Sequence, residues 1–417
     1  MKELAILGGD PVFSNPLQIQ RDIITDEDKK AVEAYFKSDG PISFYGDEGI
    51  QHEYEQELKT YFSYRYALLV NSGTNALLAA YFALGLMPSD EVLVPAFSFF
   101  AIASPLLFLH VTPIMVDCDA YTGLIDPKDA EQKMTEKTKA VVINHICGDS
   151  IDMHTFTEYC HQRKIAVIED LSLAFGGTDH GKKLGTFGDL TCCSLGSTKL
   201  LSGGQGGFIV TNSLEYFERM ILLGCFGKRA SQNVINPFYR QFSQVSYGMN
   251  LRMHPLSIAI SYERFKRRDY LIKERQIRYN MLSEYIKKFP FISPPRSVDE
   301  KFRGSWHGYY ALLADCFDDI EGQRIADAFC AEGIPVHYGA HYPLLHRQKV
   351  YWSNSDGFFR NKKNPYKANQ PFDSCAGAEY YNRHILSFPL LLDEDESVIS
   401  ACCESILKVL SQIDKLK

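Results

Sequence analysis

The sequence predicts an α/β protein with a mainly parallel central sheet in a large domain and a smaller α+β domain at its C-terminal end. Short apolar runs alternate with helix-like stretches from about residue 66 onward, as in a sheet covered by helices on both faces. Near residue 255 this alternation gives way to a long, charged helical stretch and a shorter mixture of strands and helices. Because 417 residues exceed one ordinary core, we expect two domains, residues 1–255 and residues 256–417.

Composition narrows the class of protein. The net charge of −7 argues against an electrostatic nucleic-acid binder and favours small-molecule partners. The eleven cysteines include no C-x-x-C spacing and form no disulfide framework, so reduced thiols in a cytoplasmic protein are expected. The opening "MKELAILGGDPVF" has too few apolar residues for a signal peptide.

The first half of the chain supplies most of the expected sheet. Residues 26–40 and 51–62 have the spacing of amphipathic helices, and "YALLVNSG" predicts a strand that leads into a helix at "TNALLAAYFALGL". The most apolar stretch of the chain, "EVLVPAFSFFAIASPLLFLHVTPIMV", is interrupted by Pro95, Pro105, Pro113 and His110. It therefore predicts a strand, a turn and a buried helix rather than a membrane span.

Later runs continue the alternation and then change it. Strands are predicted at "KAVVINHICG", "IAVIED" and "GGFIVTN", with a helix at "MHTFTEYCHQRK" between the first two. Behind residue 255, one long helical stretch precedes a strand at "GYYALLADCF", a helix at "EGQRIADAFCAEG" and a final helix at "DESVISACCESILKVLSQID". Residues 352–378 are polar and predict a long surface loop.

One glycine-rich stretch, "GSTKLLSGGQGG" at residues 196–207, could suggest nucleotide binding. A phosphate-binding loop needs G-x-x-x-x-G-K-[ST] behind a strand, and no lysine follows these glycines. The G-x-G-x-x-G of dinucleotide-binding folds is absent from the first strand–helix turn. The sequence therefore favours neither nucleotide hydrolysis nor dinucleotide redox chemistry.

Polar groups follow three of the predicted strands, at the edge where an open parallel sheet binds its ligands. Gly73 and Thr74 open a helix, whose free N–H groups favour an anion. Asp170 ends a second strand, and Ser194 and Lys199 follow a third. Pyridoxal phosphate needs these groups for its phosphate, its ring nitrogen and its aldehyde. The phenylalanines of "PAFSFFA" offer an aromatic cover for its ring.

The chain resembles the DegT/StrS-type sugar aminotransferases, which have the type I fold of pyridoxal-phosphate enzymes. The matching stretches follow one another along almost the whole chain. They are "GGDPV", "NSGTNAL", "VPAFSFFA", "PIMVDCD", "HICGDSIDM", "VIEDLSLAFGG", "GTFGDLTCCSLGSTKLLSGGQGGFIVTN", "GMNLRM", "HYPLLHRQ" and "AEYYNRHILSFPL". Ten stretches in register make the resemblance specific for fold and cofactor.

The resemblance implies a role for each matching residue. Lys199 is similar to the lysine that forms the Schiff base and moves the proton, and Asp170 to the partner of the ring nitrogen. Gly73, Thr74 and Ser194 are similar to the residues that bind the phosphate.

Two further roles and two departures follow from the same resemblance. Phe99 is similar to the aromatic residue that stacks on the ring, and Asn250 to a residue that reaches the phosphate of the neighbouring subunit, which implies a homodimer with shared sites. Leu173 stands where the family usually has Gln or His, and Gln205 where it usually has Glu. A related branch has histidine in place of the lysine and carries out dehydration, so Lys199 favours transamination.

Histidines of "HYGAHYPLLH" invite a metal interpretation, because His337 and His341 are four residues apart. The stretch lacks the helical character and the nearby acid of a zinc motif, and no metal is expected. The resemblance places this region near the substrate, which makes His341 and His346 candidate substrate contacts, with structural roles as the alternative. Glu169 is expected to face the other side of its strand in a structural role.

The resemblance implies an aminotransferase that moves an amino group from glutamate or glutamine to a keto sugar, with or without a nucleotide, or to a keto cyclitol. The opening "LAILGGDPV" is similar to a subgroup that handles inososes. Arg229, Arg252 and Lys228 are candidate partners for the carboxylates of the donor, and the sequence does not choose among them. The alternatives are another reaction of the same cofactor, such as that of a lyase or a dehydratase, and a non-catalytic regulatory relative.

Overall fold

The computed structural model describes residues 2–18, 24–296, 302–303, 307–351, 375–391 and 396–416. The helices are α1 (Asp26–Lys37), α2 (Gly49–Phe62), α3 (Gly73–Ala83), α4 (Ser104–Phe108), α5 (Pro127–Lys133), α6 (Met153–Gln162), α7 (Leu214–Gly224), α8 (Lys228–Asn233), α9 (Pro237–Arg240), α10 (Pro255–Lys266), α11 (Arg268–Ile286), α12 (Asp319–Ala331), α13 (Ala376–His384) and α14 (Glu396–Leu410). The strands are β1 (Tyr66–Val70), β2 (Glu91–Pro95), β3 (Thr112–Val116), β4 (Thr138–Asn144), β5 (Ala166–Asp170), β6 (Thr178–Asp179), β7 (Lys182–Lys183), β8 (Leu190–Ser194), β9 (Gly207–Thr211), β10 (Ile292–Ser293), β11 (Phe302–Arg303), β12 (Tyr309–Leu313), β13 (His337–Tyr338) and β14 (Ile385–Phe388).

A seven-stranded sheet of order β1-β9-β8-β5-β4-β2-β3 forms the centre of the molecule. Strand β9 is antiparallel to both of its neighbours, and the other pairs from β8 to β3 are parallel. The mainly parallel sheet expected from the continuous apolar runs is thereby confirmed.

Both faces of this sheet are buried. Successive residues of a strand point to opposite faces. Leu69 and Val141 accordingly belong to one apolar cluster, which α2, α6 and α10 cover, while Leu68 and Val142 belong to another, which α3 and α7 cover. The result is the three-layer arrangement of an α/β protein.

The helical stretch behind residue 255 is two helices rather than one. Helix α10 ends and α11 begins at Arg267, whose φ of −97° and ψ of 8° depart from helical values. The Arg267 guanidinium lies 3.3 Å from Asp28 of α1 and 3.6 Å from Glu263. Tyr262 of α10 packs in the first cluster, whereas Tyr279 of α11 packs in a third. A domain boundary at residue 255 stays a prediction, and this packing favours one inside α11.

A second unit is built on an antiparallel sheet of order β10-β12-β14-β13, which packs with α11, α12 and α14 around the third cluster. Leu4 is fully buried in that cluster. The N–H groups of Ala5 and Val12 donate to the two carboxylate oxygens of Glu332, at 2.9 and 3.0 Å. Lys408 completes the contact at 2.8 Å. The segment at residues 2–18 is therefore anchored on this second unit.

Across the described residues, no helix combines the length and the apolar character that a bilayer crossing requires. The apolar stretch that begins at Glu91 forms β2, α4 and β3. All eleven cysteines are free thiols. Most of the expected surface loop, residues 352–374, lies outside the described residues.

Candidate active site

Polar residues meet at one edge of the central sheet. Asp170 ends β5 and Ser194 ends β8, and the strand register places Asn144 and Cys192 on either side of Asp170. Helix α3 begins three residues after the end of β1 at the same edge. The groups that the sequence assigns to three strand ends are therefore neighbours in space, as an open parallel sheet requires.

The N-terminus of α3 faces Ser194 closely enough to form an anion seat. Ser72 caps the helix, and its hydroxyl accepts the N–H of Asn75 at 3.1 Å. The N–H groups of Gly73 and Thr74 belong to the first turn, which has no intrahelical acceptors. A Cβ at Gly73 would lie 2.6 Å from the Ser194 Cβ and 3.1 Å from its hydroxyl oxygen. Only glycine fits this approach, and the N–H groups beside a hydroxyl fit the phosphate of pyridoxal phosphate.

Lys199 lies in a turn that follows β8. Its N–H donates to the Gly196 carbonyl at 2.9 Å, and its Nζ lies 3.4 Å from Nε2 of His307. Burial lowers the pKa of the Lys199 amine, the Asp170 carboxylate opposes that shift, and the Arg275 guanidinium adds to it. A lower pKa leaves more of the amine in its neutral, nucleophilic form.

The two acidic residues that end β5 differ in their surroundings. Asp170 is half-buried, and its Oδ1 accepts the N–H of Ser172 at 3.0 Å. Glu169 is fully buried and accepts three backbone N–H groups of residues 185–188, each at 2.7 Å. Burial works against ionisation of Glu169, but His145 and these N–H groups hold its pKa below the usual value. These contacts give Glu169 the structural role that its neighbouring position predicts.

The Lys199 side chain lines a narrow cleft that is partly open to solvent. Leu173 and Leu201 supply apolar wall, and Arg275 and His307 supply basic groups. Neither basic residue is predicted from the sequence, since Arg275 lies within a long charged helix and His307 outside any motif. The one local signal at His307 is a histidine followed by glycine before the apolar run of β12, and it does not indicate proximity to Lys199.

The two departures from the family pattern lie in different places. Leu173 lines the cleft beside Lys199 and presents no group that can donate or accept a hydrogen bond. Gln205 is exposed, and with Ser197 and Ser202 it lines a separate depression. Of the two, only Leu173 is placed to change the surroundings of the amine.

The three phenylalanines behind β2 separate into core and surface. Phe97 is fully buried, with its ring edge-on to Tyr381 at 5.0 Å. Phe99 and Phe100 are 47% and 50% exposed, with their rings 4.1 Å apart. Phe97 is thus part of the core. The ring of Phe99 is accessible, and its stacking role stays a prediction.

Asn250 is exposed beside the chain that leads into α3. Its carbonyl accepts the side-chain amide of Asn71 at 3.2 Å, and its own side-chain oxygen accepts the Arg252 Nε–H at 2.9 Å. Arg252 also donates to the carbonyl of Phe44 at 2.8 Å. The reach of Asn250 into a neighbouring subunit stays a prediction.

The two candidate cations at the start of α8 are engaged within the chain. Arg229 is buried between Asp47, at 2.8 Å, and Glu55, at 2.6 Å. Lys228 lies 2.6 Å from Glu48. These three ion pairs hold α2 and the loop before it against α8, so binding of a donor carboxylate by either cation would have to break a contact within the chain.

The histidines of the 337–346 stretch also separate. The rings of His337 and His341 lie 4.6 Å apart, and both residues are exposed. His346 is buried 3.0 Å from Glu379; burial lowers its pKa, and the carboxylate opposes the shift. Within the described ranges, no group of three or more His, Cys, Asp or Glu side chains could hold a metal ion. Substrate contact by His341 and His346 stays a prediction. The contact observed for His346 is the structural one with Glu379.

Two named proteins are similar to this chain over more than two thirds of its length. A GDP-perosamine synthase of Escherichia coli O157:H7 is 31% identical over 290 residues, which cover 68% of this chain and 75% of that protein. A protein of Micromonospora echinospora, provisionally named L-glutamine:3-amino-2,3-dideoxy-scyllo-inosose aminotransferase, is 26% identical over 361 residues, 85% of this chain and 84% of that protein.

Solved structures share the fold. The pyridoxal-phosphate form of a provisionally named sugar aminotransferase from Streptococcus pneumoniae aligns with a TM-score of 0.78 and 20% identity, over 95% of this chain and 99% of that one. The match to the DegT/DnrJ/EryC1/StrS aminotransferase family extends over residues 22–368, most of the chain. The protein is therefore an aminotransferase with pyridoxal phosphate as its cofactor, and it belongs to the DegT/DnrJ/EryC1/StrS family.

Proposed function

We propose that the protein transfers an amino group from glutamate or glutamine to the ketone of a keto sugar, with or without a nucleotide, or of a keto cyclitol. The observation that carries the proposal is the common placement of Lys199, Asp170 and the Gly73–Ser194 seat at one sheet edge. Relatives named for perosamine and for a scyllo-inosose support this class of ketone.

Each side chain at this edge has a distinct task in the proposed reaction. When bound, pyridoxal phosphate supplies an electron sink that stabilises negative charge on the carbon beside the amine. The N-terminus of α3 and the Ser194 hydroxyl would hold the phosphate, and the Asp170 carboxylate would keep the ring nitrogen protonated. The Lys199 amine would hold the cofactor through its aldehyde, with loss of water, and would supply the base that moves a proton between two carbons. Phe99 would offer its ring as an aromatic cover for the cofactor.

A homodimer with shared sites is part of the proposal. Large apolar side chains are exposed along the segment that leads to Asn250, more than a monomer usually leaves to solvent. They are Ile235, Phe238, Phe242, Val245, Tyr247 and Met249, between 42% and 77% exposed. Contact between two copies would cover them and bring Asn250 of one copy towards the site of the other.

Loss of the lysine tests the assignment directly. Lys199→Ala should lower turnover by roughly 10²–10⁴-fold, because the proton transfers lose their base. It should also lose the visible absorbance that covalently bound cofactor gives, while the fold is kept. The measurement is turnover and absorbance of purified protein with L-glutamate or L-glutamine, and Lys137→Ala, at an exposed lysine, is the matched control.

The same assay separates transamination from its alternatives. Either amino donor should bleach the visible absorbance of the loaded wild type, and a keto sugar or keto cyclitol should restore it. Retained turnover in Lys199→Ala would refute the site assignment. An absorbance that no amino donor changes would refute transamination and favour a lyase or a dehydratase.

A further inference from the structure

A side chain from the second unit meets Lys199 in the cleft. His307 lies two residues before β12, and its Nε2 is 3.4 Å from the Lys199 Nζ. Gly308, between His307 and β12, has a φ of +113°, and a Cβ there would lie 3.1 Å from the sulfur of Cys147. The turn that directs His307 at the lysine therefore depends on a glycine, which accepts this left-handed backbone.

The contact with Lys199 dominates the hydrogen bonding of the His307 ring. Its Nδ1 is buried and has no hydrogen-bond partner among the residues that the structure describes. A neutral imidazole has one donor and one acceptor nitrogen, and a buried nitrogen without a partner lowers stability. The ring is therefore buried at a cost in stability, with its Nε2 beside a reactive amine. This combination favours a role at Lys199 over simple packing.

The charges around the amine decide the state of the ring. Lys199 faces Asp170 from β5, Cys193 from β8, Arg275 from α11 and His307 itself. Burial lowers the pKa of His307 well below its usual value, and the charges of Lys199 and Arg275 lower it further. The ring is therefore neutral at physiological pH and can accept a hydrogen bond from the amine without adding a positive charge.

We propose that His307 is a positioning residue for Lys199, whose neutral ring holds the free amine in one orientation at the cofactor seat. The lysine is free before the cofactor is loaded and again while the amino group is carried by the cofactor, and the ring would hold it in both periods. This inference rests on the proposed function, since it assigns the proton transfers to Lys199.

Two variants separate a hydrogen-bonding role from a packing role. His307→Leu keeps a side chain of similar bulk without a polar atom, whereas His307→Gln keeps an amide that can reach the position of Nε2. Apoprotein is mixed with pyridoxal phosphate, which reacts with the lysine, and separately with pyridoxamine phosphate, which fills the same seat without an aldehyde for the lysine. The rate of loading is followed by visible absorbance and the affinity for pyridoxamine phosphate by calorimetry.

The two variants should differ in their loading with pyridoxal phosphate but not in their affinity for pyridoxamine phosphate. His307→Leu should load pyridoxal phosphate about tenfold more slowly than the wild type, because a displaced amine reacts poorly, and His307→Gln should recover most of that loss. Both should bind pyridoxamine phosphate within about twofold of the wild type, since the seat itself is unchanged. Wild-type loading by the Leu variant, no recovery by Gln, or an equal loss for both probes would overturn the inference. Failure of the proposed function would appear elsewhere, as covalent loading of Lys199→Ala.

Discussion

The reactivity of Lys199 depends on the charges that its amine meets. Burial and Arg275 lower the pKa of the amine, and Asp170 raises it. Arg275 is only 5% exposed, so little solvent screens its charge from the lysine. The neutral fraction of the amine therefore depends on a residue that belongs to a different unit of the fold.

Replacement of Arg275 should move the pH dependence of cofactor loading. Arg275→Gln removes a positive charge that disfavours the ammonium form, so the pKa of Lys199 should rise. Loading needs the neutral amine, and its half-maximal rate should shift to higher pH by the same amount. Arg275→Lys keeps the charge and should leave the midpoint near that of the wild type. Loading rates over a pH series measure both, and an unshifted midpoint in Arg275→Gln would assign the effect to burial alone.

Proximity at this site could be predicted for some residues and not for others. Asp170, Ser194 and Gly73 stand at the ends of strands or the start of a helix, and parallel strands bring such ends to one edge. His307 is 108 residues from Lys199 along the chain and lies two residues before a strand of the other sheet. Its approach depends on how the two units pack, and no local pattern encodes that.

The ends of the helices and the shortest strands could not be predicted from the sequence either. The helix predicted over residues 26–40 ends at Lys37, because Asp39 adopts a left-handed backbone with a φ of 52°. The break at Arg267 has neither glycine nor proline to announce it and coincides with contacts to α1. Strands of two residues, such as β6, β7 and β13, are too short to show any alternation.

The contact between the N-terminal segment and α12 should matter for stability. Glu332 is fully buried and Lys408 is 7% exposed, so Glu332→Gln would leave a buried ammonium without its carboxylate partner. The expected cost is about 3 kcal/mol, measured as a lower midpoint of urea denaturation. Glu284→Gln, in the exposed pair with Lys287, is the matched control and should cost less than about 1 kcal/mol. Equal effects of the two changes would contradict the structural role given to Glu332.

The whole molecule has an exposed apolar surface that the single chain leaves uncovered. The segment at residues 235–249 carries six exposed large apolar side chains, and Asn250 follows it directly. The fold class followed from the alternation of apolar runs, because each strand is buried on both faces. The exposed apolar segment could not be predicted in this way, because the exposure of a side chain depends on the folded arrangement and leaves no period in the sequence.

Mixing two inactive variants tests the proposed shared sites. A Lys199→Ala chain lacks the lysine, and an Asn250→Ala chain lacks the group offered to its neighbour's site. In a mixed dimer, one site carries both defects and the other carries none. Equal amounts, mixed under conditions that exchange subunits, should therefore recover about a quarter of wild-type turnover. No recovery, although size measurements demonstrate mixed dimers, would refute sharing through Asn250.

The contacts of Glu332 and Lys408 also determine when the N-terminal segment can fold during translation. It is 327 residues later in the chain than Ala5, whose N–H it accepts, and Lys408 is 398 residues later than Asp10, whose carbonyl it meets. Translation adds roughly 5–20 residues per second, so these partners are synthesised on the order of tens of seconds apart. Throughout that interval Leu4 has no cluster to enter. On the ribosome, the segment near Ala5 can reach its native place only after α14 has left the exit tunnel.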